Sequence, residues 1–492
     1  MLRASAIFFG QEPMSRVCIV ALVMSPTLSA RPASLRAARC PESVRARPEF
    51  GRVPSKAKGS LGLEQVITGG QLGIRLLVPQ LYWLNFEQIA RFSGRMFGWT
   101  ERAWRAGTMS SLFSELRVRD VTLRNRIAVS PMTQFSSPDG LVNDWHLVHL
   151  GSKAAGGAAL VVVEQAAVSP EGRMSTQCAG IWNDEQGEAL ARIARFVSTV
   201  GAVPGIQLGH TGRRGCVEPP WKGGGHLPED HPDAWEMIGP SADAFGGVMP
   251  RIPRAMTHDD IATVTRQYAE AARRARDAGF QWLEIHCAHG FLLSSFFSPL
   301  ANRRTDEYGG DFAGRSRLLV EVFEAVRSEW PERLPLSMRF GVTEFAPGGQ
   351  TIDESVELAR LLAPRGLDLV DVSFGGNSGR AQTPWDEEGF MVPAAQRIRK
   401  EAGVLTAANW NLADPVFAES IVREGQVDIV MLGRPMLANP HWPVYAAMVL
   451  GEARPYDMLP VQFKTWLNKY QRSRVNNGFG HVVADAASKA AE

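Results

Sequence analysis

Cysteine is scarce in this chain of 492 residues: five are scattered along it, at positions 18, 40, 178, 216 and 287, and no Cys-x-x-Cys pair occurs. An odd number of widely spaced thiols supports neither a disulfide framework nor a cysteine metal cluster. No run of 18 or more apolar residues exists, which argues against a spanning helix and stable membrane insertion. Also missing are a Gly-x-Gly-x-x-Gly after a strand pattern, a Gly-x-Ser-x-Gly elbow and a His-Glu-x-x-His zinc motif. Aspartate is absent from residues 1–108, which hold 15 Lys and Arg against 6 Glu. The remainder holds 38 basic residues against 45 acidic ones, so the net charge of +2 conceals a basic segment and an acidic body. An acidic body argues against nucleic acid as a partner. What is present, 45% hydrophobic and 21% charged residues, is an ordinary globular balance.

Residues 1–108 read differently from the rest. Their Arg- and Ser-rich, acid-poor composition resembles a transit peptide, so a mitochondrial or other targeting role is one reading. Residues 71–106 mix apolar and basic positions in a pattern compatible with an amphipathic helix. The favoured reading is a poorly ordered extension or an over-extended reading frame, with Met109 as a natural start and a cytoplasmic protein beyond it.

From Met109 short apolar runs alternate with amphipathic helical stretches. Strands are expected at 126–130, 159–164, 203–208, 281–286, 335–340, 367–373, 404–408 and 427–432. They are near-continuous runs, such as Leu160-Val161-Val162-Val163, as parallel strands covered on both faces require. Helices are clearest at 258–278, 314–329, 353–363 and 414–424. Eight such units predict an α/β fold, a (β/α)8 TIM barrel spanning 109–471 with its tail. The rival, an open doubly wound sheet, lacks its Gly-rich first turn here. A long Gly-, Pro- and Trp-rich loop, 215–257, follows the third strand and is expected on the active face. Residues 472–492 read as a disordered tail.

Barrel enzymes carry their chemistry at the C-terminal ends of strands. Those ends read Ser130-Pro131-Met132-Thr133, Glu164-Gln165-Ala166, Gln207-Leu208-Gly209-His210, His286-Cys287-Ala288-His289-Gly290, Arg339, Asn409-Trp410 and Gly433-Arg434. The set is rich in donors. No carboxylate pair is among them, which weighs against a glycosidase. Gly433-Arg434 suits the barrel's usual phosphate position. His286 and His289 are open to three readings: two metal ligands, a structural pair, or two donors to a bound oxyanion. With no third ligand evident, no metal is expected. His146 and His149 read as packing and capping residues, and Cys178, Cys216 and Cys287 as plain thiols.

At these residues the chain resembles the Old Yellow Enzyme family of flavin-dependent ene-reductases, most closely the bacterial xenobiotic reductase or thermophilic-like branch. The resemblance covers Ser111 to Tyr470. It rests on Asn125-Arg126-Ile127-Ala128-Val129-Ser130-Pro131-Met132, Gly205-Ile206-Gln207-Leu208-Gly209-His210, and the run from Ser298 through Asn302-Arg303-Arg304-Thr305-Asp306-Glu307-Tyr308 to Gly310. It implies a bound FMN, with NADPH or NADH as reductant. By resemblance Gln207 reads the flavin pyrimidine edge and Arg339 sits by N1 and O2. Pro131, Met132, Thr133 and Gln165 adjoin the ring, and Gly433, Arg434 and the chain near Trp410 hold the phosphate. His286 and His289 grip the carbonyl oxygen of an enone, whose β-carbon accepts hydride. Trp410, with Trp466 donated by a neighbouring subunit, walls the pocket, which implies a homodimer or higher. The chain departs from the pattern at Phe291, where the family has a proton-donating Tyr, and at Phe135, where this branch has a second Tyr. Thr133 replaces a Cys beside the flavin, Arg214 a Lys, and Gln165 a small residue. The expected activity is reduction of α,β-unsaturated carbonyls, with nitro compounds as further acceptors. The alternative is a flavin-binding sensor with little turnover.

Overall fold

The computed structural model describes residues 4–8, 18–22, 63–68 and 71–76, and then residues 110–471 apart from Arg380. In the N-terminal unit Ala4–Phe8 pairs antiparallel with Cys18–Leu22, and Leu63–Thr68 with Gln71–Leu76. Gln71–Leu76 is therefore strand, where the mixed pattern had read as helix. Leu72, Ile74 and Leu76 alternate with period two, the spacing of a strand rather than a helix. The rest of that expected helix, and the tail 472–492, lie outside the described residues.

Eight parallel strands close into a barrel. They are β1 (Ile127–Val129), β2 (Leu160–Ala167), β3 (Val203–Gly209), β4 (Trp282–Cys287), β5 (Leu336–Gly341), β6 (Leu369–Ser373), β7 (Leu405–Ala408) and β8 (Ile429–Leu432). Each pairs with the next in sequence, and β8 returns to β1. Every strand residue is buried except Leu405, which is half-buried. That double-sided burial is the reason the strands read as unbroken apolar runs. β2 carries a bulge between Val163 and Gln165, which re-aims the two polar residues at its end.

The main helices after the strands are α1 (Asp144–Ala155), α2 (Asp184–Thr199), α3 (His258–Asp277), α4 (Phe312–Glu329), α5 (Ile352–Leu362), α6 (Val392–Ala402), α7 (Pro415–Arg423) and α8 (Trp442–Val449). Their starts are chemically marked. Thr257 and Asp260 form a capping box on α3, and Thr351 with Glu354 does the same on α5. A last helix, α9 (Val461–Gln471), runs beyond the barrel.

The loop after β3 folds on its own small core of Cys216, Leu227 and Met237. Arg251 ties it together by donating to the carbonyls of Leu227 and Trp235, at 3.1 Å each. No helix among the described residues is long and apolar enough to cross a membrane.

Candidate active site

The barrel register places a ring of polar side chains on adjacent strands. Glu284 lies beside Gln207, His286 beside Arg339, and Arg339 beside Asp371. All are buried. Gln207 Nε2 donates to Glu284 Oε1 at 2.7 Å, which leaves the amide oxygen of Gln207 as a free acceptor. Burial, and secondly the charge of Asp371, pushes the Glu284 carboxyl up to about 8, against the pull of Arg339. Burial likewise raises Asp371, whose Oδ1 accepts from Asn409 Nδ2 at 2.8 Å.

Arg339 Nε stands 3.3 Å from Asp371 Oδ2 without hydrogen-bond alignment, and both atoms are left without a partner. Its Nη2 reaches only Ser373 Oγ, at 3.5 Å. Ser130 Oγ and Asn409 Oδ1 are also buried and unpartnered. Buried polar atoms are ordinarily paired, so this cluster has the hydrogen-bonding capacity of a site that expects a polar ligand. Gly433 adds room: a Cβ built on it meets nothing nearer than the Met132 sulfur, at 3.5 Å. The Arg434 guanidinium lies 5.4 Å over the Trp410 ring.

At the end of β4 the chain turns sharply. His289 and Gly290 both adopt left-handed conformations, with φ of 59° and 70°. Gly290 is obligatory there, since a Cβ would approach the Gly376 carbonyl oxygen to 2.4 Å. The turn folds His289 back toward His286, their rings 5.1 Å apart. His286 Nδ1 accepts the Ala288 amide at 3.2 Å, so its proton sits on Nε2. His289 Nε2 lies 2.7 Å from Ser373 Oγ, a hydroxyl that also accepts from Trp410 Nε1 at 3.3 Å. Burial first, and then the charge of Arg339, holds both imidazoles well below the ordinary histidine range. The pair is neutral at physiological pH, and a neutral imidazole can still donate a hydrogen bond to a developing oxyanion.

Aromatic rings surround the pair. Phe291 stacks 4.5 Å from His286, and Phe374 lies 5.0 Å from His289. Phe374, Trp385, Phe390 and Trp410 form one cluster, with Trp385 5.0 Å from Trp410. Phe135 is buried edge-on to Trp221 of the long loop, at 5.6 Å.

Of the residues anticipated from sequence, Gln207, His286, His289, Phe291, Arg339, Trp410, Gly433 and Arg434 thus stand at the strand ends with the contacts just described. Pro131, Met132 and Thr133 follow β1, half-buried. Gln165 is turned against β3: Gly209 leaves the space for its side chain, and its Nε2 reaches the Gly172 carbonyl at 3.4 Å. Trp466 is exposed on α9, with Lys469 Nζ 4.7 Å over its ring. His146 completes the cap of α1 through Nδ1, as its packing and capping role requires. Burial pushes the Cys178 thiol up to about 12 and raises Cys287 as well, so neither is a thiolate. Sequence reading missed Glu284, Asp371, Ser373 and Trp385. An acid inside the apolar run Leu283-Glu284-Ile285 was the available signal for the first.

A sequence model of the NADH:flavin oxidoreductase / NADH oxidase family matches residues 111–451. Over 342 residues the chain is 40% identical to an NADPH dehydrogenase of Geobacillus sp. (strain WCH70), covering 69% of this chain and 94% of that protein. An NADPH dehydrogenase of Listeria monocytogenes serotype 4b (strain CLIP80459) is 38% identical over 346 residues, 70% of this chain and 96% of the relative. Among solved structures, morphinone reductase in complex with tetrahydroNAD aligns with a TM-score of 0.58 at 26% identity, over 70% of this chain and 92% of that one.

Proposed function

The chain belongs to the NADH:flavin oxidoreductase / NADH oxidase family, that of Old Yellow Enzyme, and is an FMN enzyme using a nicotinamide reductant; from that premise we propose that it reduces the activated C=C bond of α,β-unsaturated carbonyl compounds, with nitro compounds as further acceptors. The observation that carries this is the pair of neutral, buried histidines at the end of β4, 5.1 Å apart.

The unspent hydrogen-bonding capacity around Arg339, Ser130 and Asn409 fits the cofactor. When bound, FMN supplies hydride-transfer chemistry. Arg339 would hold negative charge at the pyrimidine end, and the free amide oxygen of Gln207 would accept from the ring edge. Pro131, Met132 and Thr133 would line it, and Gly433 and Arg434 would hold the phosphate beside Trp410.

His286 and His289 bind the substrate carbonyl oxygen and draw electrons from the conjugated bond. Their hydrogen bonds strengthen as that oxygen becomes an enolate, so they favour the transition state over the ground state. Phe291 has no proton to give, so water protonates the α-carbon. Phe135 and Trp410 wall the pocket. A second copy of the chain covers the exposed Trp466 and supplies it to the neighbouring site.

An anaerobic absorbance trace on the FMN-loaded chain tests the reading. NADPH bleaches the flavin band, and 2-cyclohexenone restores it. Bleaching without recovery by enone or nitro acceptors would overturn the proposed activity. It would favour a flavin-binding sensor, a reading that the hydroxyl-free Phe291 and Phe135 support.

A further inference from the structure

Arg214 is a cation without a counter-ion. It closes the short Gly212–Arg214 turn after β3 and lies against the substrate-binding turn. Its Nη1 donates to the His289 carbonyl. Its guanidinium carbon is 5.9 Å from the Phe291 ring centre and 4.5 Å from that of Phe245, a residue of the long loop. Its side chain also packs on Gly290, where an added Cβ would lie 3.1 Å from its Cδ. Its Nε is buried with no partner.

No carboxylate among the described residues forms an ion pair with it. The charged group that bears on it is another cation, Arg213. Arg213 is itself spent on backbone, donating to the carbonyls of Asp243 and Asn377 at 3.2 and 2.9 Å. Those bonds pin the loop segment that carries Phe245 over Arg214. Burial and Arg213 lower the Arg214 pKa to about 10, so it stays charged at neutral pH.

A desolvated guanidinium with one carbonyl for company is unfavourable unless an anion completes it. The planar fork of arginine matches a carboxylate in particular. Phe291 stands between the two donor sets, 4.5 Å from His286 on one hand and 5.9 Å from Arg214 on the other.

We propose that the acceptor reduced here carries an ionised carboxylate, which Arg214 binds while His286 and His289 hold the conjugated carbonyl. The inference rests on the ene-reductase reading above and narrows its substrate class to unsaturated carbonyl acids.

Calorimetric titration of the FMN-loaded full chain with phenol, 3-hydroxybenzoate and 4-hydroxybenzoate separates the two claims. The phenol oxygen stands in for the substrate oxygen at the histidines, and the carboxylate probes Arg214. One hydroxybenzoate should bind about 10- to 100-fold more tightly than phenol, the worth of a charge-assisted bond. That advantage should shrink with added salt in the wild-type protein, while phenol affinity stays level. It should vanish in Arg214→Gln and be partly kept in Arg214→Lys. If phenol itself fails to bind, the histidine reading falls. If phenol binds and neither benzoate binds better, the Arg214 inference falls alone. It falls too if Arg214→Gln slows reduction by NADPH and leaves the benzoate preference intact, since the partner is then a dinucleotide phosphate.

Discussion

Replacing Phe291 by Tyr should accelerate the oxidative half-reaction, and its size can be argued from the site. The Phe291 ring lies 4.5 Å from His286, tilted by 32°, and is only 8% exposed. A para-hydroxyl placed there would have the Arg214 cation nearby, 5.9 Å from the ring centre, to ease loss of its proton. A positioned general acid is worth about 10²- to 10⁴-fold. On the proposed reading water protonates the α-carbon in the wild-type protein, so the tyrosine displaces a working donor and the lower end applies. We expect about 100-fold, or about 2.7 kcal/mol off the barrier. A buried hydroxyl without a partner costs about 1–3 kcal/mol, so a small fall in thermal stability should accompany the gain. Anaerobic stopped-flow mixing of the reduced enzyme with 2-cyclohexenone reads the effect. Reduction by NADPH, which needs no such proton, is the internal control and should not change. An oxidative rate that stays level while reduction stays intact would refute the argument that this position limits protonation.

Three further outcomes follow from the geometry. His286→Ala should weaken phenol binding about 10- to 100-fold, by removing one donor to the bound oxygen, and unaltered affinity would exclude the histidine from that role. Gly209→Ala should destabilise the fold by about 1–3 kcal/mol, because the new Cβ meets Gln165 Cγ at 2.7 Å. Adding Gln165→Ala should recover most of that loss in urea unfolding, and no recovery would mean the strain lies elsewhere. Glu284 keeps its proton in the folded state up to about pH 8, whereas an unfolded glutamate releases it near 4.5. The unfolded chain therefore binds fewer protons across that window, and stability falls as pH rises through it. Glu284→Gln should flatten this decline between about pH 5 and pH 8, and parallel urea midpoints for the two proteins would contradict it.

The eight strands were legible because a barrel strand buried on both faces is mostly apolar rather than alternating, with polar residues confined to the few positions that face the site. Leu160-Val161-Val162-Val163 in β2 and Ile429-Val430-Met431-Leu432 in β8 are the plainest cases. The helix expected at 258–278 begins where Thr257 caps α3, a residue whose side chain marks the start in the sequence itself. What stayed hidden depends on residues far apart in sequence. The proton position on His289 turns on Ser373, 84 residues away. The free face of the Gln207 amide turns on Glu284, 77 residues away. The resemblance places Gln165 beside the ring largely through its backbone; the direction of its side chain, which the β2 bulge and the space at Gly209 turn toward β3, was not readable from sequence. Trp385 lay in a loop with no period to read, and only the fold brings it onto Trp410.

The seam of the barrel has a consequence for how the enzyme is made. β8 pairs with β1 through Val430 and Ile127, and through Leu432 and Val129. Glu419 reaches back over 307 residues to accept the Leu112 amide. During synthesis the first strand therefore waits for the last, and contacts of such long sequence separation form slowly. Until the ribosome passes Leu432 the nascent sheet has two open edges, which invite pairing with other chains. Arg434, proposed above to hold the cofactor phosphate, emerges just behind that final strand, so it becomes available only as the ring becomes able to shut. Prematurely terminated chains should therefore clump, and a surplus of free cofactor during translation should reward the finished product alone.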